Sequence, residues 1–130
     1  MENETLPTNG VIEKRSDRPV AETIDRLAEI VKSKGMRIFA RIDHAAAARS
    51  VGLEMRPTEV LIFGDPRAGT DLMNSYPHLA IDLPLKALAW EDENGSVRLA
   101  YNSPNYLQKR YGLEDTAFQA IGKWIDEAVA

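Results

Sequence analysis

The sequence predicts an α+β fold: a single domain in which a mostly antiparallel sheet is covered by helices. Three observations carry this. First, 130 residues with 44% hydrophobic and 28% charged side chains suit one globular unit that buries about two-thirds of its unfolded surface. Second, apolar positions recur at helical spacing near both ends of the chain, whereas the period-two and continuous apolar runs cluster in the middle. Third, Asn94-Gly95 separates two strand-like runs and marks a hairpin. Helices segregated from strands, rather than alternating with them, favour a helical layer on an antiparallel sheet.

Residues 1–9 are polar, contain Pro7 and read as a flexible tail, leaving residues 10–130 as the domain. Val11 to Lys14 is a short first strand. Ser16 and Asp17 then offer capping oxygens, and Pro19 suits a first helical turn. Val20, Ile24, Leu27 and Val31 form one apolar stripe, which Gly35 ends. From Met36 the period becomes two: Met36, Ile38, Ala40 and Ile42 are expected on one face, Arg37, Phe39 and Arg41 on the other. Asp43 can cap a short helix through the four alanines that follow His44, closed by Gly52.

Thr58 to Phe63 (TEVLIF) is a strand whose unbroken apolar run suggests burial on both faces. Asp65-Pro66 starts a helix running to about Asn74, and Tyr76-Pro77 breaks it. Ala80 to Glu91 holds another strand, bent at Leu83-Pro84 because proline cannot donate to a ladder. Ser96 to Tyr101 is its hairpin partner. Asn102-Ser103-Pro104 opens a helix that Gly112 stops. Thr116 and Gln119 make a capping-box pattern for a last helix carrying Phe118, Ile121, Ile125 and Val129 on one face.

Composition narrows the function. The balance of 16 basic and 20 acidic residues gives 16 − 20 = −4, and no basic run exceeds two residues, as at Lys14-Arg15. Nucleic-acid binding, which needs a concentrated cationic face, is not expected. With no cysteine there is no disulfide framework, thiolate metal site or thiol nucleophile. No apolar run exceeds four residues and the start lacks a signal-peptide pattern, so no membrane partner and a cytoplasmic location are expected. Two histidines thirty-four positions apart do not make a zinc site. Six serines occur without a nucleophile-elbow motif. No cofactor is expected.

Four places offer chemistry. Asp43-His44 sits where a strand passes into a helix, and the carboxylate can orient the imidazole for proton transfer. A cap at Asp43 with an ordinary first-turn His44 is the weightier reading, since adjacent helical side chains seldom face each other. Gly64 to Thr70 (GDPRAGT) has two glycines five apart between strand and helix, but Thr70-Asp71 stands where a nucleotide loop needs Lys-Ser/Thr. What survives is a small-anion site using helix-start amides and Arg67, or a plain turn in which Asp65 is the cap. Asp82 and Lys86 flank the proline bend and can present a charge couple, although a purely structural bend is favoured. Tyr101 and Asn102 sit at a strand–helix junction, where Asn102 or Ser103 also serves as a cap.

The stretches FARIDHAAAA, VGLEMRPTEVLIFGDPRAGTDLM, AIDLPLKALAWED and AYNSPNYLQKRYGL, in this order from Phe39 to Gly112, resemble the DUF302 family of bacterial and archaeal proteins. The resemblance implies a compact α/β domain of the TBP-like, TT1751-like kind, often seen as a homodimer, with no assigned activity. Fold likeness of that sort does not supply a function.

The expected function is therefore a non-catalytic small-ligand-binding or accessory domain acting as a homodimer, its ligand small and polar or anionic. The alternative is a small enzyme that uses Asp43 and His44 as an acid–base pair, with Tyr101 and Arg67 holding substrate. A second alternative is a self-assembly module that pairs through the Phe39 face or a sheet edge. The catalytic reading requires His44 and its partners to converge on one pocket, whereas the binding reading requires only a concave pocket. The site residues named for both presume that His44, Arg67 and Tyr101 share one hollow.

Overall fold

The computed structural model describes residues 9–115 and 117–130. Five strands and five α-helices follow along the described chain: β1 (Val11–Ser16), α1 (Val20–Ser33), β2 (Arg37–Asp43), α2 (His44–Ser50), β3 (Thr58–Gly64), α3 (Pro66–Ser75), β4 (Leu85–Glu91), β5 (Val97–Asn102), α4 (Pro104–Tyr111) and α5 (Ile121–Val129). A 3₁₀ turn at Pro77–Ile81 lies between α3 and β4. The strands form one sheet in the order β1-β5-β4-β3-β2, with every neighbouring pair antiparallel. The fold class is the α+β domain that the sequence predicts. The expected tail falls on residues that, apart from Asn9, lie outside the described ones.

One face of the sheet holds the core. Paired residues in antiparallel strands share a face, so Ile12, Tyr101, Ala87, Leu61, Phe63 and Leu99 project together. They pack with Val20, Ile24, Leu27 and Val31 of α1 and with Ile121, Ile125 and Ala128 of α5. The sequence stripe of α1 is thus its buried stripe: Ile24, Leu27 and Val31 are fully buried. Burial of that much apolar side chain contributes about 1.5–3 kcal/mol per residue. Ser16 and Thr23 bond through their hydroxyls at 2.7 Å, which satisfies both polar groups inside this layer.

The opposite face is wetter. Thr58, Val60, Ile62, Leu88 and Trp90 alternate with the core residues and are only half-buried. The apolar run in β3 therefore does not mean burial on both faces: its burial alternates, with Glu59, Leu61 and Phe63 inside and Val60 and Ile62 half-covered.

Other sequence expectations also change in the structure. In β2 the register shifts between Ile38 and Ala40, leaving Phe39 as a bulge. Ile38 pairs with Phe63 on the core face, but Ala40 and Ile42 pair with Ile62 and Val60 on the other. The extra residue reverses the alternation, so Arg41, not Ile42, turns toward α1. There it bonds Glu59 at 2.7 Å, Asp25 at 2.5 Å and the Ala21 carbonyl at 3.1 Å. Next, Pro84 precedes β4 rather than bending it, and the Leu83–Pro84 peptide is cis. Finally, α5 begins at Ile121, with Ala120 at its N-cap and no side-chain cap. Thr116 lies outside the described residues, and Gln119 donates instead to Asn105 at 3.4 Å. Phe118 falls outside the helix with φ of 67°.

Candidate functional site

Asp65 ends β3 and begins α3. Its Oδ1 accepts the Arg67 amide at 3.0 Å, and Pro66 fills the first helical turn. This is the cap that the Asp-Pro pair predicts. The helix it starts is amphipathic yet buries no residue: Leu72 and Met73 are only half-covered. Between this apolar side of α3 and the segment entering α5 lies a groove of about 560 Å³.

Its walls come from distant parts of the sequence. Met36 and Phe39 supply one side, and Pro66, Gly69, Thr70 and Met73 supply the α3 side. Leu83, Pro84 and Leu85 supply another wall, with Phe118, Gln119 and Trp124 opposite. Trp124 meets Phe63 edge to face, with centroids 6.3 Å apart, which ties the groove to the core. Phe39 is 47% exposed.

Two local features hold the groove open. Phe118 keeps a left-handed backbone, which is an outlier for a bulky side chain and costs of order 1 kcal/mol. That conformation takes its ring out of the α5 stripe and into the groove wall. Gly69 lies inside α3, and a Cβ there would stand 3.8 Å from Leu83 and from Met73, in ordinary contact. Glycine in a helix interior is unfavourable by roughly 0.5–1 kcal/mol relative to alanine. Here it leaves space. Gly64, the other glycine of the turn, sits against Pro84, whose Cβ would be 3.4 Å from an added methyl.

The eight nominated residues do not converge. Asp43 and His44 stand at the end of β2 that pairs with Glu59, whereas Asp65 and Arg67 follow the other end of β3. The seven residues of β3 separate these ends by roughly 20 Å at strand rise. The shared hollow joining His44 to Arg67 and Tyr101 does not form. Asp43 Oδ1 accepts the Ala46 amide at 2.9 Å and acts as a cap, and His44 is exposed. Arg67 is exposed and does not line the groove.

Asp82 and Lys86 do not pair. Asp82 accepts from Arg110 at 3.1 Å and from the Tyr111 hydroxyl, which ties the bend to α4. This bond to Asp82 is the main reason the Tyr111 hydroxyl titrates above its ordinary range. Lys86 donates to the Pro84 carbonyl at 3.1 Å. Tyr101 is buried in the core layer, its hydroxyl close to Gly122. The adjoining helix is capped by Ser103, which accepts the Tyr106 amide at 3.3 Å, rather than by Asn102.

Only Asp65 of the eight lines the groove. Most of the segment Gly64 to Thr70, for which the sequence suggests anion chemistry, lines the groove. Its aromatic partners were missed because Phe39, Phe118 and Trp124 each read locally as strand or helix residues. Among the described residues no group of three or more His, Asp or Glu is placed to hold a metal ion.

The family profile described as "Domain of unknown function DUF302" matches residues 12–130. Two proteins named fluoride-specific ion channel FluC 1, from Brucella suis and Brucella abortus, are each 45% identical over 116 residues. The match takes in 87% of this chain but 46% and 43% of those proteins. The chain thus spans under half the length of these curated relatives. A crystal structure of an uncharacterized conserved DUF302 protein from Bacillus stearothermophilus superposes with a TM-score of 0.74 at 20% identity, covering 92% of this chain and 95% of that one. That likeness shows the fold.

Proposed function

Because the chain belongs to the DUF302 family, whose domain has no described function, we propose from its own geometry that it is a non-catalytic binding domain for a small, largely apolar ligand. The single observation behind this reading is the groove beside α3, an amphipathic helix with no buried residue. Concave apolar walls with a few polar groups are the usual form of a small-molecule site. Acid–base catalysis finds no support in the position of Asp43 and His44, which stand away from the groove with the carboxylate engaged as a cap.

The Brucella relatives bear on context. No helix among the described residues is long and apolar enough to cross a membrane. In this reading, ion conduction in those proteins belongs to the part that the chain does not match, and the matched part is an accessory module.

A thermal-shift screen of apolar metabolites tests the binding role. A ligand should raise the melting temperature by mass action, and Gly69→Leu, which extends a side chain between Met73 and Leu83, should remove the rise. Ligands that stabilise the variant equally would refute the groove as their site.

A second reading, self-association as a homodimer, rests on the other sheet face. There Ile42 is 39% exposed, next to half-buried Val60, Ile62 and Leu88. Sedimentation at micromolar concentration should show a dimer that Leu88→Lys dissociates, and a monomer would end this reading.

A further inference from the structure

The groove is more selective than its apolar walls suggest. Among the described residues Asp65 is its one charged lining residue, and no lysine, arginine or histidine lines it. Oδ1 of Asp65 accepts the Arg67 amide, while Oδ2 makes no hydrogen bond among the described residues. Three aromatic residues, Phe39, Phe118 and Trp124, share the lining with Asp65. Ring faces attract cations, most strongly where water is excluded. At the rim this attraction is already in use: the Arg37 guanidinium lies 5.9 Å from the Phe39 ring centroid.

A neutral apolar ligand would leave the carboxylate unanswered at the groove wall, and an anionic one would face repulsion. The α3 amides offset part of the Asp65 charge, but the cap already occupies the Arg67 amide. We infer that the groove takes a lipophilic cation, an amine or quaternary ammonium attached to an apolar body, with its charge beside Asp65. This rests on the binding role proposed above and adds the charge of the ligand.

Trp124 provides a reporter. The chain has two tryptophans, and Trp90 is on the far sheet face, so in Trp90→Phe the fluorescence reports on the groove alone. That full-length variant is titrated with monomeric octyltrimethylammonium, octanol and octyl sulfate, which share one tail. The ammonium should bind roughly tenfold more tightly than the sulfate, with octanol between them, as expected for one charge at a few ångströms in a partly wet site. Asp65→Asn keeps a good helix cap. It should bring the ammonium down to the octanol affinity while leaving octanol unchanged.

Equal or tighter binding of the sulfate overturns the charge assignment. So does an ammonium preference that survives Asp65→Asn. If octanol binds and Gly69→Leu blocks it, the groove stands whatever the charge result. If none of the three ligands alters Trp124 emission, both the groove and the cation fail.

Discussion

Two amphipathic helices in this molecule meet different fates. In α1 the stripe of Val20, Ile24, Leu27 and Val31 is sealed against the sheet, at 2% exposure or less. In α3 the apolar side, with Met73 upon it, contains no buried residue and borders a groove. Both patterns are legible as helix, yet only the first is filled by the protein itself. An amphipathic stripe left unfilled by its own chain marks where the fold has room for something else.

Truncations should separate the two helices most strongly. Leu27→Ala should cost about 2–5 kcal/mol in urea unfolding, because it opens a cavity in a sealed layer. Met73→Ala should cost less than about 1 kcal/mol, since the site is already half-open, while weakening any groove ligand. Similar losses at the two positions would mean that α3 is core and the contrast is wrong.

The bulge supplies the next test. Arg41→Ala strips the buried Glu59 of its cation and should cost about 1–3 kcal/mol. Adding Glu59→Gln should recover part of that loss. No recovery would show that Arg41 contributes through packing alone.

Gly69→Ala should move stability and binding in opposite directions. Removing a helix glycine should add roughly 0.5–1 kcal/mol, while the new methyl narrows the groove and lowers ligand affinity. A loss of stability would show that the space at Gly69 is needed by the fold.

The smallest effect concerns pH and lies far from the groove. The Asp92 carboxyl is held below its ordinary value of 3.8, chiefly by the Ser96 amide and then by that of Asn94. A lowered folded-state pKa means that the stabilisation is in place above the unfolded value and is lost as pH falls through the folded one. Asp92→Asn should therefore flatten a small part of the stability decline below about pH 4, measured by thermal melts across that range. An unchanged acid slope would remove Asp92 from the account.

Local features were legible and non-local ones were not. The stripe of α1, the hairpin at Asn94-Gly95 and the caps at Asp43 and Asp65 depend on residues within one or two turns and are readable. The α4 cap is narrowed only to Asn102 or Ser103, and neither Ser16 nor Asp17 caps α1, whose N-cap is Pro19. The bulge at Phe39 is set by how β2 meets β3, and nothing in MRIFARID announces an extra residue. Phe118 continues the apolar spacing of Ile121 and Ile125, so it reads as helix although its backbone is left-handed. The groove inherits both difficulties, because its walls join residues 36, 73, 84 and 124. Spacing along a chain carries no record of such meetings.

The displaced Phe39 also shapes how copies of this protein can meet. β2 is an outermost strand, and an unbroken outermost strand invites further strands to add, one molecule after another, into filaments. Its interrupted ladder makes that margin a poor template. The same inserted residue that gives the groove one of its rings thus guards the β2 margin against the addition of a further strand.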